Sequence, residues 1–193
     1  MYAQVDENDE TGVTFVSLVD KPAVKMEWHA FSEQKDLFKF KDINEEKRIV
    51  TGAAMLADFP IYRKMQDQEF MLVFDADTIW KMGKKFARAN RYNSVNTDHS
   101  TEVEGVYLLE SFFTNEERGI MPPKGFETAK DGSWFMSYLI DNDEVWEKVK
   151  DGTWNGFSVE GYFGLSEQSE MSEICAAIEE LTAMVKNFRT IKK

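Results

Sequence analysis

The sequence predicts an α+β fold, a small and mainly antiparallel β-barrel or sandwich that carries surface helices. Three observations predict it. Five or six apolar segments have the length of β-strands, two segments with helical spacing lie between them, and Gly, Pro, Asn and Asp clusters separate them. The chain has 193 residues, enough for one domain with a substantial core.

Three strands are predicted in the first half of the chain. They are residues 13–19, 48–56 and 69–75, each rich in large apolar side chains. The first ends before Pro22, because proline cannot donate to a strand ladder. Residues 1–12 are acidic and polar, and we expect a flexible segment there. The domain is therefore expected to span residues 13–165.

A helix is predicted after the third strand. Asp77 is a suitable N-cap, and Ile79, Met82 and Phe86 recur at the spacing of one helix face, which Ala89 extends.

The second half of the chain predicts three more strands and a second helix. The strands are residues 105–113, residues 134–140 and the segment that contains Ser158. The helix lies before the last of them. Asp141 and Glu144 have the spacing of a capping box, and Gly152 lies just past the end. Its apolar side is formed by Val145, Trp146 and Val149.

From about residue 169 the pattern changes to a C-terminal amphipathic helix, residues 169–193. Its apolar residues recur at spacings of 4, 3, 4 and 3, and they are Ile174, Ile178, Leu181, Val185 and Phe188. Such a helix either packs on its own domain or associates with a partner or a second copy.

Composition excludes several classes of function. The net charge of −12 argues against nucleic acid as a partner, since phosphate neutralisation needs clustered Lys and Arg. A single cysteine, Cys175, excludes an internal disulfide and a Cys-rich zinc site. No apolar run approaches the roughly 20 residues that span a bilayer, so we expect no membrane association.

The candidate catalytic pair is Ser158 and His99. Ser158 lies in an alternating apolar segment directly after a helix end and a glycine, and His99 lies in an Asn-rich loop. A serine that attacks a carbonyl needs a base within hydrogen-bond reach, usually a histidine. A strand serine is, however, structural in most proteins, and a loop histidine is usually only solvated.

Other candidates have simpler explanations. His29, the only other histidine, is the competing base, but it lies in an irregular stretch. Asp75 and Asp77 are better explained by a helix start than by a cation. The sequence has no phosphate-binding Gly-rich loop, no His pair at metal spacing and no Gly-x-Ser-x-Gly elbow, so we expect no cofactor and no metal.

Several motifs resemble those of the XkdF-like phage prohead serine proteases, relatives of the herpesvirus assemblins. They occur in the family's order over roughly residues 13–164. They are Ser17-Leu-Val-Asp-Lys-Pro-Ala23, Pro60-Ile-Tyr-Arg63, Asn96-Thr-Asp-His99, Glu104-Gly-Val-Tyr-Leu-Leu-Glu-Ser-Phe112, Gly132-Ser-Trp134, Asp143-Glu-Val-Trp-Glu-Lys-Val149 and Gly156-Phe-Ser-Val-Glu-Gly161.

This resemblance implies a closed or partly open β-barrel with peripheral helices and a serine endopeptidase activity. The enzyme would trim scaffold and capsid precursors, and possibly itself, during phage head maturation. His99 would be the base and Ser158 the nucleophile. The resemblance also implies a homo-oligomer, with a dimer possible, that works inside the assembling procapsid in the host bacterial cytoplasm. The alternative is an inactive capsid-assembly or scaffold-binding protein with the same fold.

The third catalytic residue is open between two glutamates. In related proteases a glutamate of a Glu-Val-Ser-Leu-Val-type strand is a candidate, but Phe15 occupies that place here. Glu110 is the preferred substitute, because a carboxylate in a buried strand needs a partner. Glu160 is second, since it shares a strand face with Ser158. Asp98 is expected to point away from His99, and the turn of residues 116–119 is a candidate oxyanion-binding element.

Overall fold

The computed structural model describes residues 1–6, 10–20, 38–40, 42–65, 68–92 and 95–167. These residues form twelve strands and two α-helices. The strands are, in chain order, β1 (Tyr2–Gln4), β2 (Gly12–Val19), β3 (Asp42–Asn44), β4 (Ile49–Met55), β5 (Ile61–Met65), β6 (Gln68–Leu72), β7 (Val95–Thr97), β8 (Thr101–Glu102), β9 (Val106–Phe113), β10 (Trp134–Ile140), β11 (Gly156–Tyr162) and β12 (Gly164–Ser166). The helices are α1 (Ala76–Arg88) and α2 (Asp143–Lys150).

The strands build two four-stranded sheets and two two-stranded pairs. The first sheet has the order β3-β4-β10-β9, the second has the order β11-β2-β7-β8, and the pairs are β1-β12 and β5-β6. Every named pair of strands is antiparallel except β2 and β7. The fold is therefore α+β and mainly antiparallel, as predicted. The predicted barrel is not confirmed, since none of the sheets formed by the described residues closes on itself.

The core lies between the two large sheets. Phe157 on β11 packs against Phe40 and Tyr138, with ring centroids 4.7 and 5.2 Å apart. Gly52 on β4 permits this contact, because a Cβ there would lie 3.0 Å from the Phe40 ring and 3.2 Å from Phe157. Ordinary contacts between carbons are longer. The sheets therefore meet through aromatic rings over a residue without a side chain.

Helix α1 packs across both sheets. Its buried face includes Ile79, Met82 and Phe86, as predicted, and Phe86 lies edge-on to Trp134 of β10 at 5.5 Å. The N-cap is Asp75 rather than the predicted Asp77. The Asp75 Oδ1 accepts a hydrogen bond of 2.8 Å from the backbone N–H of Thr78, whereas Asp77 lies in the first turn.

Helix α2 follows β10 and leads into β11. Its buried residues are Val145, Trp146 and Val149, which confirms the predicted apolar side. The cap is Asn142, whose side chain accepts from the Val145 N–H at 3.1 Å, one residue after the predicted Asp141. Both helices thus begin at a capping side chain close to the predicted one.

The six predicted strands are all present, and residues 134–140 have the predicted bounds. Within the segment expected to be flexible, Tyr2–Gln4 form β1 and pair with β12, and Ala3 and Val5 are buried. The predicted helix of residues 169–193 lies outside the described residues. Among the described helices, neither has the length and apolar character needed to cross a membrane.

Candidate active site

The candidate site lies on the face of the second sheet that points away from the first. The register of β11, β2 and β7 puts Ser158 opposite Ser17, and Ser17 beside Asn96. Side chains alternate along a strand, and Phe157 faces the core, so Ser158 and Glu160 project from the other face. Three neighbouring strands therefore present a row of polar side chains on one surface.

The turn after β7 carries His99 to this surface. Asp98 and His99 both have left-handed backbone conformations, with φ of 49° and 58°. Two hydrogen bonds hold the turn at Asp98. Its N–H donates to the carbonyl of Leu18 at 3.0 Å, and its carboxylate accepts from the indole N–H of Trp154 at 3.0 Å. As expected, the side chain of Asp98 is engaged away from the imidazole.

Three side chains converge on the Oε1 atom of Glu160, and they belong to Ser17, Asn96 and His99. The Oε1 atom of Glu160 accepts from the Ser17 hydroxyl at 2.7 Å and from the Asn96 amide at 2.6 Å. The Nδ1 atom of His99 lies 3.0 Å from this oxygen and 3.0 Å from the Ser17 Oγ. The cluster contains a histidine whose Nδ1 side is held by a carboxylate, the arrangement that orients a catalytic imidazole.

The surroundings of Glu160 favour its ionised form. Partial burial opposes ionisation, but hydrogen bonds from Ser17, Asn96 and His99 and the charge of a protonated His99 outweigh it. Together they hold the pKa of the Glu160 carboxyl below its ordinary value. An ionised Glu160 can in turn stabilise the imidazolium that forms when His99 accepts a proton.

Access to the cluster differs between its members. Ser17 is fully buried, whereas the side chains of His99 and Glu160 are 41% and 30% exposed. Ser158 is half-buried. A substrate could reach His99 and Ser158, but not Ser17.

Ser158 lies beside the cluster without a direct bond to the imidazole. No hydrogen bond between Ser158 and His99 is found, and Nε2 of His99 makes none within the described part of the chain. Residues directly opposite on antiparallel strands have Cβ atoms roughly 4.5–5.5 Å apart. Ser158 is therefore one strand spacing from Ser17, which contacts the ring. Catalytic hydrogen bonds are often long or absent without substrate.

Of the two predicted third members, Glu160 reaches His99 and Glu110 does not. Glu110 lies on β9 of the first sheet, where it is exposed and accepts from the Ser137 hydroxyl at 2.5 Å. From the sequence we expected a buried strand here, in which the Glu110 carboxylate would need a charged partner. In the fold β9 is an edge strand, so the carboxylate is exposed and accepts from a hydroxyl instead.

The predicted oxyanion-binding turn is engaged elsewhere. Residues 116–118 form a 3-10 turn whose first amide, at Glu116, donates to the Asp131 carboxylate at 3.0 and 3.1 Å. The amides of Arg118 and Gly119 bond within the same turn. These three donors are already used, so they do not form an oxyanion hole in this arrangement. The competing base His29 lies outside the described residues.

A β-bulge directly after Glu160 fixes the end of the site. The pairing of β11 with β2 shifts register between Glu160 and Gly161. A Cβ on Gly161 would lie 2.0 Å from the carbonyl oxygen of Gly12, so only glycine fits there. The close approach of the two backbones sets where β11 leaves the register that aligns Ser158 with Ser17.

Sequence reasoning missed Ser17 and Asn96 as members of the site. Ser17 is the single serine of a mostly apolar strand, and Asn96 is the middle residue of β7, one residue before the strand ends in a polar loop. A hydroxyl in a buried strand must find a hydrogen-bond partner, and that requirement was the available signal. The identity of the partner depends on strand neighbours that are far apart in sequence.

The sequence matches a family of phage proteins. The sequence profile of the family described as "Putative phage serine protease XkdF" matches residues 37–167, more than half of the chain. The chain belongs to this family. The matched range contains Asn96, His99, Ser158 and Glu160, and it excludes Ser17.

The chain is also similar to a curated bacterial protein. The phage-like element PBSX protein XkdF of Bacillus subtilis (strain 168) is 27% identical over 169 residues. The alignment covers 83% of this chain and 56% of that protein, so the chain spans little more than half the length of its relative. No solved structure matches the chain significantly.

Proposed function

We propose that this chain is a serine endopeptidase in which Ser158 is the nucleophile, His99 the general base and Glu160 the carboxylate that orients His99. The observation that carries this proposal is the 3.0 Å contact between His99 Nδ1 and Glu160 Oε1 on the sheet face that presents Ser158. Membership of a family described as phage serine proteases supports it.

The proposed reaction is acyl transfer in two steps. The Ser158 Oγ attacks the carbonyl carbon of the scissile peptide bond while its proton passes to Nε2 of His99. His99 then gives this proton to the leaving amine as the C–N bond breaks, which leaves an acyl-enzyme. A water molecule, deprotonated by His99, attacks the ester carbonyl. The ester C–O bond then breaks, the carboxylic acid product leaves, and the proton returns from His99 to Ser158 Oγ. Throughout, Glu160 remains ionised and stabilises the imidazolium.

Ser158 rather than Ser17 is assigned as the nucleophile because attack requires contact with substrate. Ser17 contacts the imidazole, but it is fully buried, and its hydroxyl already donates to Glu160. Ser158 is half-buried and lies directly opposite it. The mechanism requires that Nε2 of His99 and the Ser158 hydroxyl come within hydrogen-bond reach when substrate binds.

The proposed substrates are the scaffold and major capsid precursors of a phage, cleaved inside the assembling procapsid in the host cytoplasm. A homo-oligomer, with a dimer possible, is part of the same proposal. Its support is the resemblance of the motifs to prohead proteases and the phage origin of the matching family. The chain spans little more than half the length of its relative. Its substrates must therefore be tested with the scaffold and capsid proteins encoded beside this chain.

The test is co-expression of the chain with its neighbouring scaffold and capsid proteins, followed by intact-mass analysis. We expect defined fragments with the wild type and none with Ser158→Ala. The matched control is Ser111→Ala, which removes from β9 of the other sheet a serine hydroxyl that accepts a hydrogen bond of 2.9 Å from the Trp134 indole. This variant is expected to cleave at the same sites as the wild type.

Two outcomes would contradict the proposal. Fragments that persist with Ser158→Ala would exclude Ser158 as the nucleophile. Intact masses in all samples, with folded wild-type protein bound to the scaffold, would favour the non-enzymatic assembly protein instead. Circular dichroism of each variant shows whether a loss of cleavage reflects a loss of fold.

A further inference from the structure

The donors around Glu160 determine which nitrogen of His99 carries the proton. A serine hydroxyl has one proton to donate, and an ionised carboxylate can only accept. The Ser17 proton is directed to Glu160 Oε1 at 2.7 Å. Toward His99 Nδ1, at 3.0 Å, the Ser17 oxygen can therefore only accept.

Both neighbours of Nδ1 thus require a donor there. Glu160 Oε1, at 3.0 Å, is an acceptor, and so is the lone pair of Ser17 Oγ. A neutral imidazole has one N–H and one bare nitrogen, and the hydrogen bond at one nitrogen sets the state of the other. With the proton on Nδ1, the bare nitrogen is Nε2, on the side free to accept a proton from a nucleophile.

Asn96 completes the arrangement from β7. Its amide donates to the same Glu160 oxygen at 2.6 Å, and its side chain is 6% exposed. The Oδ1 atom of Asn96 is buried and has no hydrogen-bond partner within the described residues. A buried amide with an unsatisfied oxygen costs stability. The hydrogen bond at the other end of the amide, to Glu160, is the contact through which Asn96 acts on the site.

We propose that Ser17 and Asn96 are positioning residues that hold Glu160 against His99 and fix the imidazole in the Nδ1–H tautomer. The effect of this tautomer on cleavage rests on the proposed function, whereas the tautomer itself does not. Neither residue contacts substrate, since both are buried. They act on the reaction only through Glu160 and His99.

Other charged groups on the strands and turns around the site remain unchanged in the test. Asp98 is bonded to the Trp154 indole, Glu102 lies on β8 opposite Asn96, and Arg91 donates to the carbonyl of Thr14 on β2 at 3.5 Å. Their fields act equally on the wild type and on variants at Ser17 or Asn96. A difference in the His99 tautomer between the wild type and these variants is therefore caused by the change at Ser17 or Asn96.

The first experiment reads the tautomer of His99 directly by 15N NMR of the imidazole. The chain has two histidines, so His29→Gln leaves His99 as the single signal. In this background we expect the Nδ1–H form at a pH where the ring is neutral. With Ser17→Ala or Asn96→Ala the signal should move toward the mixture of tautomers typical of a solvated imidazole. Ser17→Thr, which keeps the hydroxyl, should restore the Nδ1–H form.

The second experiment measures cleavage kinetics with the same variants. We expect kcat to fall about 10- to 100-fold in Ser17→Ala and Asn96→Ala with little change in KM, and Ser17→Thr to recover most of it. Ser158→Ala is expected to lose all cleavage. Ser111→Ala is again the control for a lost serine hydroxyl outside the site.

The two measurements separate the inference from the proposed function. A wild-type Nε2–H tautomer would overturn the inference even if the protein cleaves its substrates. A wild-type Nδ1–H tautomer that disappears in Ser17→Ala would support the inference even if no cleavage is found. Complete loss of cleavage in Ser17→Ala, with residual cleavage in Ser158→Ala, would make Ser17 the nucleophile and would also overturn it.

Discussion

Each large sheet carries a row of polar side chains across three adjacent strands, but the two rows differ in what surrounds them. In the first sheet Thr51, Ser137 and Glu110 lie side by side on β4, β10 and β9. The Ser137 hydroxyl donates to Glu110 at 2.5 Å and lies 2.9 Å from the Thr51 hydroxyl. This row contains a serine and a carboxylate in contact.

In the second sheet the row is Ser158, Ser17 and Asn96, with Glu160 two residues along β11. Here the serine–carboxylate contact is joined by His99, by a second donor and by an accessible serine. A hydroxyl bonded to a carboxylate is therefore not by itself a catalytic arrangement. The difference lies in the turn after β7, which brings His99 to one row and has no counterpart at the other among the described residues.

The largest effect should come from exchanging the carboxylates of the two rows for amides. Glu160→Gln is expected to lower kcat/KM about 100-fold or more, because a neutral amide stabilises the imidazolium poorly and can favour the wrong tautomer. Glu110→Gln should leave kcat/KM unchanged. Cleavage of a purified scaffold precursor measures both. Equal losses in the two variants would show that contact with His99 does not distinguish Glu160 from Glu110.

The next effect concerns the backbone at the end of the row in the second sheet. Gly161→Ala puts a Cβ 2.0 Å from the Gly12 carbonyl oxygen, so β2 and β11 must separate. We expect a loss of about 2–4 kcal/mol of unfolding free energy, with reduced cleavage, measured by urea denaturation. The control Gly119→Ala has a φ of 71° but no atom within 4 Å, and should cost only about 1 kcal/mol. A smaller loss at Gly161 than at Gly119 would contradict the proposed close approach.

A pH effect distinguishes Glu160 from a carboxylate that only faces solvent. Its pKa is lower in the folded chain than the ordinary 4.5. Ionised Glu160 therefore stabilises the fold above the unfolded pKa, and this stabilisation is lost as pH falls through the folded pKa. At pH 7 we expect Glu160→Gln to be less stable than the wild type by on the order of 1 kcal/mol. The difference should shrink below about pH 4.5 in denaturation curves. A difference that grows with acidity would have the wrong sign.

The smallest effect should follow from loosening the turn that carries His99. Trp154→Phe removes the indole N–H that donates to Asp98, and we expect a cost of about 1 kcal/mol. Cleavage should fall less than about tenfold, because the Asp98 N–H still holds the turn to Leu18. Thermal unfolding and kcat measure the two effects. A loss as large as that of Glu160→Gln would mean that the turn, and not the carboxylate, positions the base.

The strands with long apolar runs were predictable from the sequence because their pattern is local. Residues 134–140 are apolar at nearly every position, and the strand has the predicted bounds. The short strand Val95–Thr97 was not predicted, since it is polar and is fixed by parallel pairing with β2. Its stability comes from a neighbour about 80 residues earlier in the chain, which no local pattern reveals.

The choice between Glu110 and Glu160 shows the same limit at the site. Both glutamates lie in apolar strands with a serine nearby in sequence. Glu110 is exposed because β9 is the outer strand of its sheet, and Glu160 meets His99 because β11 pairs with β2. The residue types of the site were visible in the sequence, but which carboxylate faces the histidine depends on strand order.

The hydrogen bond from Ser17 to Glu160 joins residues 143 positions apart. The site therefore needs both the first long strand of the chain and the last one. A ribosome that has not yet released residue 160 holds a chain in which β2 has no β11 to pair with. Long-range strand pairing is also slow relative to local folding. Whatever chemistry the site supports cannot begin before β11 has been synthesised and has paired with β2, however early the rest of the chain folds.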